Sequence, residues 1–384
     1  MKNYTITVHA LQHQPVGCMN AGELLEAKTC TIGGTERVYV SSQAWKKAMR
    51  DYIRAKYPNE KAGIRTRQLK PIADILQQKY GYSEDDAKAI GTHLFWAGIF
   101  SAKKYKTWQS VELEPSDEEN KTYRWKIVMA VADGFFENIA ECIARHAITM
   151  DSFTVDKKDN VVTTLSKDEV KKICEEVEKF FGDTSVDVQL FGRMVAGNDA
   201  GTVEGACAVA MAHSVSEASI DRDYFTAVDE GVILGSGMLG TREMTSGILY
   251  RYGQVSTGIL SKTLGEGLDE SVAHIVELFV ESFIKSIPTS RKTQFGTVTA
   301  PYYVYVEVRD DMGISYDEAF VTALPQTATK KDVQNVFENT VKELQEYAIT
   351  KPVKAFVCAN SDLGEKVHAD KVGAEVCQFL LSAV

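Results

Sequence analysis

Lys46, Lys47, Arg50 and Arg54 recur in SSQAWKKAMRDYIR at a spacing that gathers cations on one side of a helix. At about 100° per residue the four fall within a single arc of about 100°. Ser41 and Ser42 precede them, and serine is a residue that caps a helix N-terminus, so a helix is expected to start here. A helix start presents free backbone N–H groups and the positive end of the dipole, both suited to phosphate. The hydroxyls of Ser41 and Ser42 and the Gln43 amide would add donors without adding charge. Such a surface would follow a phosphate backbone and ignore the bases. Trp45, Met49 and Tyr52 lie on the adjoining arc, which suits a core. A solvated helix face also carries lysine and arginine stripes, so composition alone leaves that plainer reading open.

Other residues with chemical potential are less well placed. Gly235, Gly237 and Gly240 in VILGSGMLG spell G-x-G-x-x-G, the phosphate-binding fingerprint of a nicotinamide-dependent oxidoreductase. Its context is missing: the preceding apolar run is short, TREMTSG makes no clean helix, and no acidic residue follows about twenty positions on. A glycine-rich hairpin is the preferred reading. No G-x-S-x-G elbow or H-E-x-x-H helix is present. His213 and Ser214 are adjacent on a strand and so point to opposite faces. His9 and His13, which a metal-dependent ribonuclease reading could recruit, are read as structural strand histidines. The seven cysteines are scattered, with no C-x-x-C pair and no histidine read at ligand spacing from one. They are expected to be reduced and mostly buried, with no metal site and no cofactor.

The elements that must position these groups follow from pattern and composition. A chain of 384 residues is long enough for about two to three domains, and 44% hydrophobic with 25% charged residues is a globular balance. A net charge of −10 argues against coating nucleic acid with the whole surface, but permits a local basic groove. No long uncharged apolar run is present, so no membrane span is expected. The start reads as a strand and loop rather than a signal peptide, which makes the expected location cytoplasmic.

A strand is predicted over 5–11, a turn at Gly33-Gly34 and a strand over 37–40. From 58 to 182 the character is helical, with Ser83 and Asp86 opening one helix and Ser166 and Glu169 another that ends on Gly182. YRWKIVMAVADGFFENIAECIARHAI reads as the longest helix. Strands are then predicted in VDVQLFGRM, ACAVAMAHSV, DYFTAVD and the segment ending GILYRYG. A helix over 269–287, a strand in YYVYVEVRD, an amphipathic helix in KKDVQNVFENTVKELQEYA and a strand in VKAFVCA complete the chain. No internal repeat is visible, and the fold class is α+β.

Several motifs together resemble the CasC-type backbone subunit of Cascade, the CRISPR RNA-guided surveillance complex of type I-E systems. They are VHALQHQPVGCMN, GGTERVYVSSQAWKKAMR, FGRM, EGACAVAMAHSV, IDRDYFTAVDE, LGTREMTSGILYRY and SIPTSRKTQF. They span residues 1–50 and about 190–295; the helical insertion and the tail match only in type. The resemblance implies a ferredoxin-like, RNA-recognition-like palm (1–57, 186–219 and 248–384), helical fingers (58–185) and a β-hairpin thumb (220–247). It also implies a non-catalytic, antiviral subunit that polymerises head-to-tail along the CRISPR guide RNA. Each copy would flip out one guide base, target DNA would pair with the guide in segments, and a recruited helicase-nuclease would cut. Other Cascade subunits would be partners.

Carried over position by position, Ser41, Ser42, Gln43, Lys46, Lys47 and Arg50 would hold guide phosphates, with Asn20 and Lys28 approaching from a neighbouring loop. Met194 and Thr226 would wedge against the flipped nucleotide, Arg193 would sit beside them, and Arg291 and Lys292 would add charge. Ala21 stands where the resemblance leads one to expect an arginine. Asp229 and Glu230 lie near the position of a cutting acid in type III relatives, but FTAVD matches the non-cutting branch.

Overall fold

The computed structural model describes residues 2–60, 63–100, 113–117, 122–182, 185–194, 201–228, 231, 236–265, 267–290, 292–296 and 298–383. The chain forms two compact units, Met1–Tyr57 with Ala206–Val384, and Pro58–Gly205.

The first unit opens with β1 (Thr5–Gly17), β2 (Thr29–Ile32), β3 (Thr35–Val40) and α1 (Ser42–Lys56). Gly33 and Gly34 join β2 to β3 with φ of +57° and +77°. Positive φ at both central residues is what a tight hairpin turn matching strand twist demands, and glycine meets it without strain.

The second unit runs through β4 (Ile64–Gln68), α2 (Lys70–Tyr80), α3 (Glu84–Ala89), a π-helical turn, α4 (Phe95–Phe100), β5 (Leu113–Asp117) and β6 (Thr122–Val131). It continues with α5 (Phe135–Arg145), β7 (Phe153–Val155), β8 (Val161–Thr163), α6 (Lys167–Gly182) and α7 (Val186–Phe191). Its sheets are β4-β6-β5 and β7-β8. Trp96, Trp125, Phe135, Ile139, Phe181 and their neighbours form its core. The Ser83 and Ser166 caps form as expected, accepting from the amides of Asp86 at 3.1 Å and Glu169 at 3.3 Å.

Two expectations fail here. The predicted longest helix is a strand, β6, followed by an eleven-residue helix, α5. Residues 122–131 are rich in aromatic and β-branched side chains, which favour a pleated surface, and Gly134 at φ +78° separates the two elements. The longest described helix is instead the eighteen-residue Lys330–Tyr347. The predicted strand in VDVQLFGRM is the helix α7, held by the Asp187 carboxylate, which accepts from Ser185 Oγ at 2.5 Å and from the Gly63 amide at 2.7 Å. Five of its six residues are buried, and such a run carries no period that separates strand from helix.

The chain returns to the first unit with β9 (Cys207–Val209), β10 (Ala212–Ser214), β11 (Ile220–Val228), β12 (Ser236–Ser256), α8 (Thr257–Leu264), α9 (Asp269–Lys285) and α10 (Lys292–Phe295). β13 (Tyr303–Arg309), α11 (Lys330–Tyr347), β14 (Lys354–Val357), β15 (Glu365–Lys366) and α12 (Val372–Ser382) follow. The sheet order is β15-β14-β13-β1-β12-β10-β3-β2, and β9 and β11 also pair with β12. Its centre, β13-β1-β12-β10, is antiparallel, with α1 after β1 and α9 after β12. That is the order of a ferredoxin-like βαββαβ unit, so the expected α+β class holds.

Alternate residues of β12 face opposite sides. Tyr250 meets Phe337 of α11, whereas Arg251 and Gly253 meet Phe283 of α9, so helices cover both faces of the sheet. At Gly247 (φ +152°) β12 passes from pairing with β11 to pairing with β1 and β10, leaving β11 and the first half of β12 as a hairpin.

Candidate nucleic-acid interface

Ser41 caps α1 as expected: its backbone is extended and its Oγ accepts from the Ala44 amide at 3.3 Å. The amides of Ser42 and Gln43, at the first turn of the helix, precede any intrahelical acceptor. Asn20 Oδ1 accepts from the Ser41 amide at 2.9 Å, and the Lys28 carbonyl accepts from the Tyr39 amide at 2.9 Å. The loop between β1 and β2 is thereby tied to the start of α1. Asn20, Lys28, Ser41, Ser42 and Gln43 share one corner of the first unit, and Lys46, Lys47 and Arg50 follow along the helix.

The cations are not equivalent. Asp51 takes Lys47 at 2.5 Å and Arg54 at 3.8 Å. Among the described residues no carboxylate lies within ion-pair reach of Lys46. Partial desolvation pushes the half-buried Cys207 thiol up to about 12, while the charges of Lys46 and Arg50 oppose it, placing both cations along the side of α1 near β9.

The buried side of α1 is firmly seated. Trp45, Ala48, Met49 and Ile53 are in the core, and Tyr52 donates to Glu281 of α9 at 2.8 Å. Beneath Trp45 lies a residue that the sequence reading missed, Arg251. Its guanidinium is 3.6 Å from the Trp45 ring and 4.6 Å from that of Phe283, and it donates to Gln12 Oε1 at 2.6 Å and to the Phe283 carbonyl. Burial brings its pKa down to about 9. A lone charge in the apolar strand GILYRYG is the only signal that could have flagged it. Arg37, at the head of the same basic segment, also turns inward, donating to the carbonyls of Ser214 at 2.9 Å and Phe320 at 3.1 Å.

Arg193 and Met194 lie in the second unit and differ sharply. Arg193 is 5% exposed, and Met194 is 81% exposed. The Arg193 guanidinium donates to the carbonyls of Gly201 at 2.6 Å, Ala130 at 3.2 Å and Phe181, and burial lowers its pKa to about 10. It therefore fixes backbone rather than reaching solvent. Thr226 is exposed on β11, paired across the hairpin with Leu239. Around it Tyr224, Met238 and Leu239 are all more than half exposed, so the hairpin presents an apolar surface. Arg291 lies outside the described residues, as does the side chain of Lys292.

The sequence profile of the CT1975-like protein family matches residues 6–381. The chain belongs to that family. Among solved structures, this CT1975-like chain is similar to a chain of a CRISPR RNA-guided surveillance complex described as pre-nicking. That pair has a TM-score of 0.80 and 24% identity over 99% of this chain and 100% of the other. A second chain, from a CRISPR RNA-guided surveillance complex, matches with a TM-score of 0.70 and 22% identity over 98% and 99%. No curated protein matches. The fold is thus shared with chains of CRISPR RNA-guided surveillance complexes, as the resemblance implied.

The rival chemistries find little support in this CT1975-like fold. His9 is fully buried in a cluster of tyrosines, its Nδ1 3.0 Å from Tyr250 Oη and its Nε2 3.2 Å from Thr7 Oγ1. Burial first, and the Arg309 charge second, lower its pKa to about 3. His213 Nε2 meets Asp317 at 2.5 Å, while Ser214 Oγ donates to the Ser216 carbonyl at 2.7 Å, so the two side chains form no dyad. From Ser236 on, the glycine fingerprint is itself part of the strand β12, which continues where a dinucleotide site needs a helix, and a Cβ on Gly240 would lie 2.4 Å from the Phe225 ring. Residues 229, 230 and 232–235 lie outside the described residues.

All seven cysteines are free, but only Cys18, Cys142 and Cys174 are buried, fewer than expected. The reading that no histidine stands at ligand spacing from a cysteine is corrected by Cys142 and His146. They stand four positions apart, Cys142 in the last turn of α5 and His146 at its C-terminal cap, with Glu176 beside them.

Proposed function

We propose that this chain is a non-catalytic backbone subunit that holds CRISPR guide RNA by its phosphates in a cytoplasmic Cascade-type surveillance complex of antiviral defence. The observation that carries the reading is the capped start of α1. First-turn amides at Ser42 and Gln43 that precede any intrahelical acceptor, and a Lys46 with no carboxylate partner among the described residues, stand on a ferredoxin-like core shared with chains of CRISPR surveillance complexes. A subunit that must accept any guide sequence needs donors aimed at phosphate and shape rather than at base edges. Ser41, Ser42, Gln43, Lys46, Lys47 and Arg50 would supply them, with Asn20 and Lys28 from the adjoining loop and Arg291 and Lys292 adding charge.

The finer reading follows the type I-E pattern. Copies stack head-to-tail along the guide, a heterologous contact that grows a helix when its rotation does not close. Residues 220–247 act as the thumb, 58–185 as the fingers and the remainder as the palm. Exposed Met194 and Thr226 wedge against one flipped base per copy, and Arg193 positions the backbone that carries Met194. Target DNA pairs with the guide between the flipped bases, other Cascade subunits complete the complex, and a recruited helicase-nuclease cuts. The net charge of −10 accords with a basic surface confined to the groove.

The test is the nucleic acid that accompanies the protein. Expressed with a CRISPR array, the chain should purify with an absorbance ratio dominated by nucleic acid, and the extracted RNA should be guide-length. Protein that emerges free of RNA, and that fails to bind added guide, would refute the reading; a nucleotide-cofactor spectrum would favour the oxidoreductase.

A further inference from the structure

The second unit carries a side-chain cluster that guide binding does not use. Cys142 lies in the last turn of α5 and His146 is the residue that ends that helix, four positions on, and α6 brings Glu176 to meet them. The three donor atoms lie within 4.8 Å of one another. Glu176 Oε2 stands 3.2 Å from Cys142 Sγ and 3.0 Å from His146 Nε2. A tetrahedral ion about 2.3 Å from sulfur and about 2.0 Å from nitrogen and oxygen would set those edges at about 3.5 and 3.3 Å. The observed separations need to open by only about 0.3 Å.

We propose that Cys142, His146 and Glu176 bind a zinc ion that staples α5 to α6. A thiol, an imidazole and one carboxylate form a mixed soft and borderline donor set, which suits zinc and is poor for magnesium or calcium. With the thiol deprotonated, Cys142 and Glu176 balance the two positive charges of the ion, and the imidazole stays neutral. The displaced thiol proton leaves to solvent. The other oxygen of Glu176 accepts from Arg145 at 2.5 Å, which fixes the carboxylate in the way that outer partners orient metal ligands. His146 and Glu176 are 22% and 23% exposed at their side chains, so water can reach the fourth position.

The probes are zinc and cobalt(II) added alone to the full-length chain under reducing conditions. The wild type should retain one zinc per chain after desalting and, with cobalt, show a thiolate-to-metal charge-transfer band. Cys142→Ser should lose both. Glu176→Gln keeps side-chain volume and tests the same site should the serine variant fail to fold; its zinc affinity should fall at least about tenfold, as should that of His146→Gln. A wild type that takes up neither metal, or a cobalt band unchanged in Cys142→Ser, would overturn the proposal. So would zinc affinity unchanged in a folded Glu176→Gln.

Discussion

Replacing Lys46 and Arg50 together by alanine isolates the phosphate-binding claim. Alanine is the strongest helix former, and the buried face of Trp45, Ala48, Met49 and Ile53 is untouched, so α1 should persist. Each phosphate contact to a single strand contributes about 0.7 to the slope of log affinity against log salt, so two lost contacts should flatten it by about 1.4. Across a fourfold rise in salt, the ratio of wild-type to variant affinity should therefore shrink about sevenfold. Guide binding measured by filter retention over a salt series, with several unrelated spacers, reads both quantities. The loss should be the same for every spacer, because phosphates carry no sequence. Lys47→Ala should flatten the slope less, since Asp51 already neutralises that ammonium. An unchanged slope in the double variant, or a loss that varies strongly with spacer, would refute the reasoning.

Met194→Ala should leave guide affinity nearly intact but weaken pairing with target DNA. Target affinity and chemical reactivity of the guide bases check it, and no change in either would discard the wedge. Arg193→Met abandons carbonyls of Gly201, Ala130 and Phe181 and should destabilise the second unit by about 3 kcal/mol, with Arg193→Lys failing to restore it, as read by urea unfolding. A loss under about 1 kcal/mol would contradict the bracing role. His9 has a folded pKa of about 3 against about 6.5 unfolded, so only the unfolded chain takes up this proton as pH falls. Its contribution is therefore flat above about pH 6.5 and costs stability below it, by at most about 1.4 kcal/mol per pH unit. His9→Gln should remove that slope in denaturation at about pH 7 and about pH 5.

Much of the chain could be read from local pattern. The Ser41, Ser83 and Ser166 caps, the turn at Gly33-Gly34 and the capped long helix of the tail are all set by contacts within a few residues. Local chemistry is enough there because a cap or a tight turn makes its bonds with its immediate neighbours. The basic arc of α1 was equally legible as a pattern, and the family motifs raised it to a nucleic-acid reading.

Other features needed distant partners. Residues 122–131 satisfy a helical and a strand period alike, and only β4 and β5, pairing on either side, settle the matter. Arg193 and Met194 are adjacent letters, yet one is sealed among carbonyls and the other stands in solvent, a division that no periodicity encodes. Arg37 and Arg251 are buried, because carbonyls and aromatic rings remote in the chain accept them. Cys142 and His146 acquire a shared chemistry only when α6 delivers Glu176. Sequence dictates what each residue can bond within a turn or two; packing decides which distant donors and acceptors it meets, and the cost of burying an unpaired polar group enforces the choice.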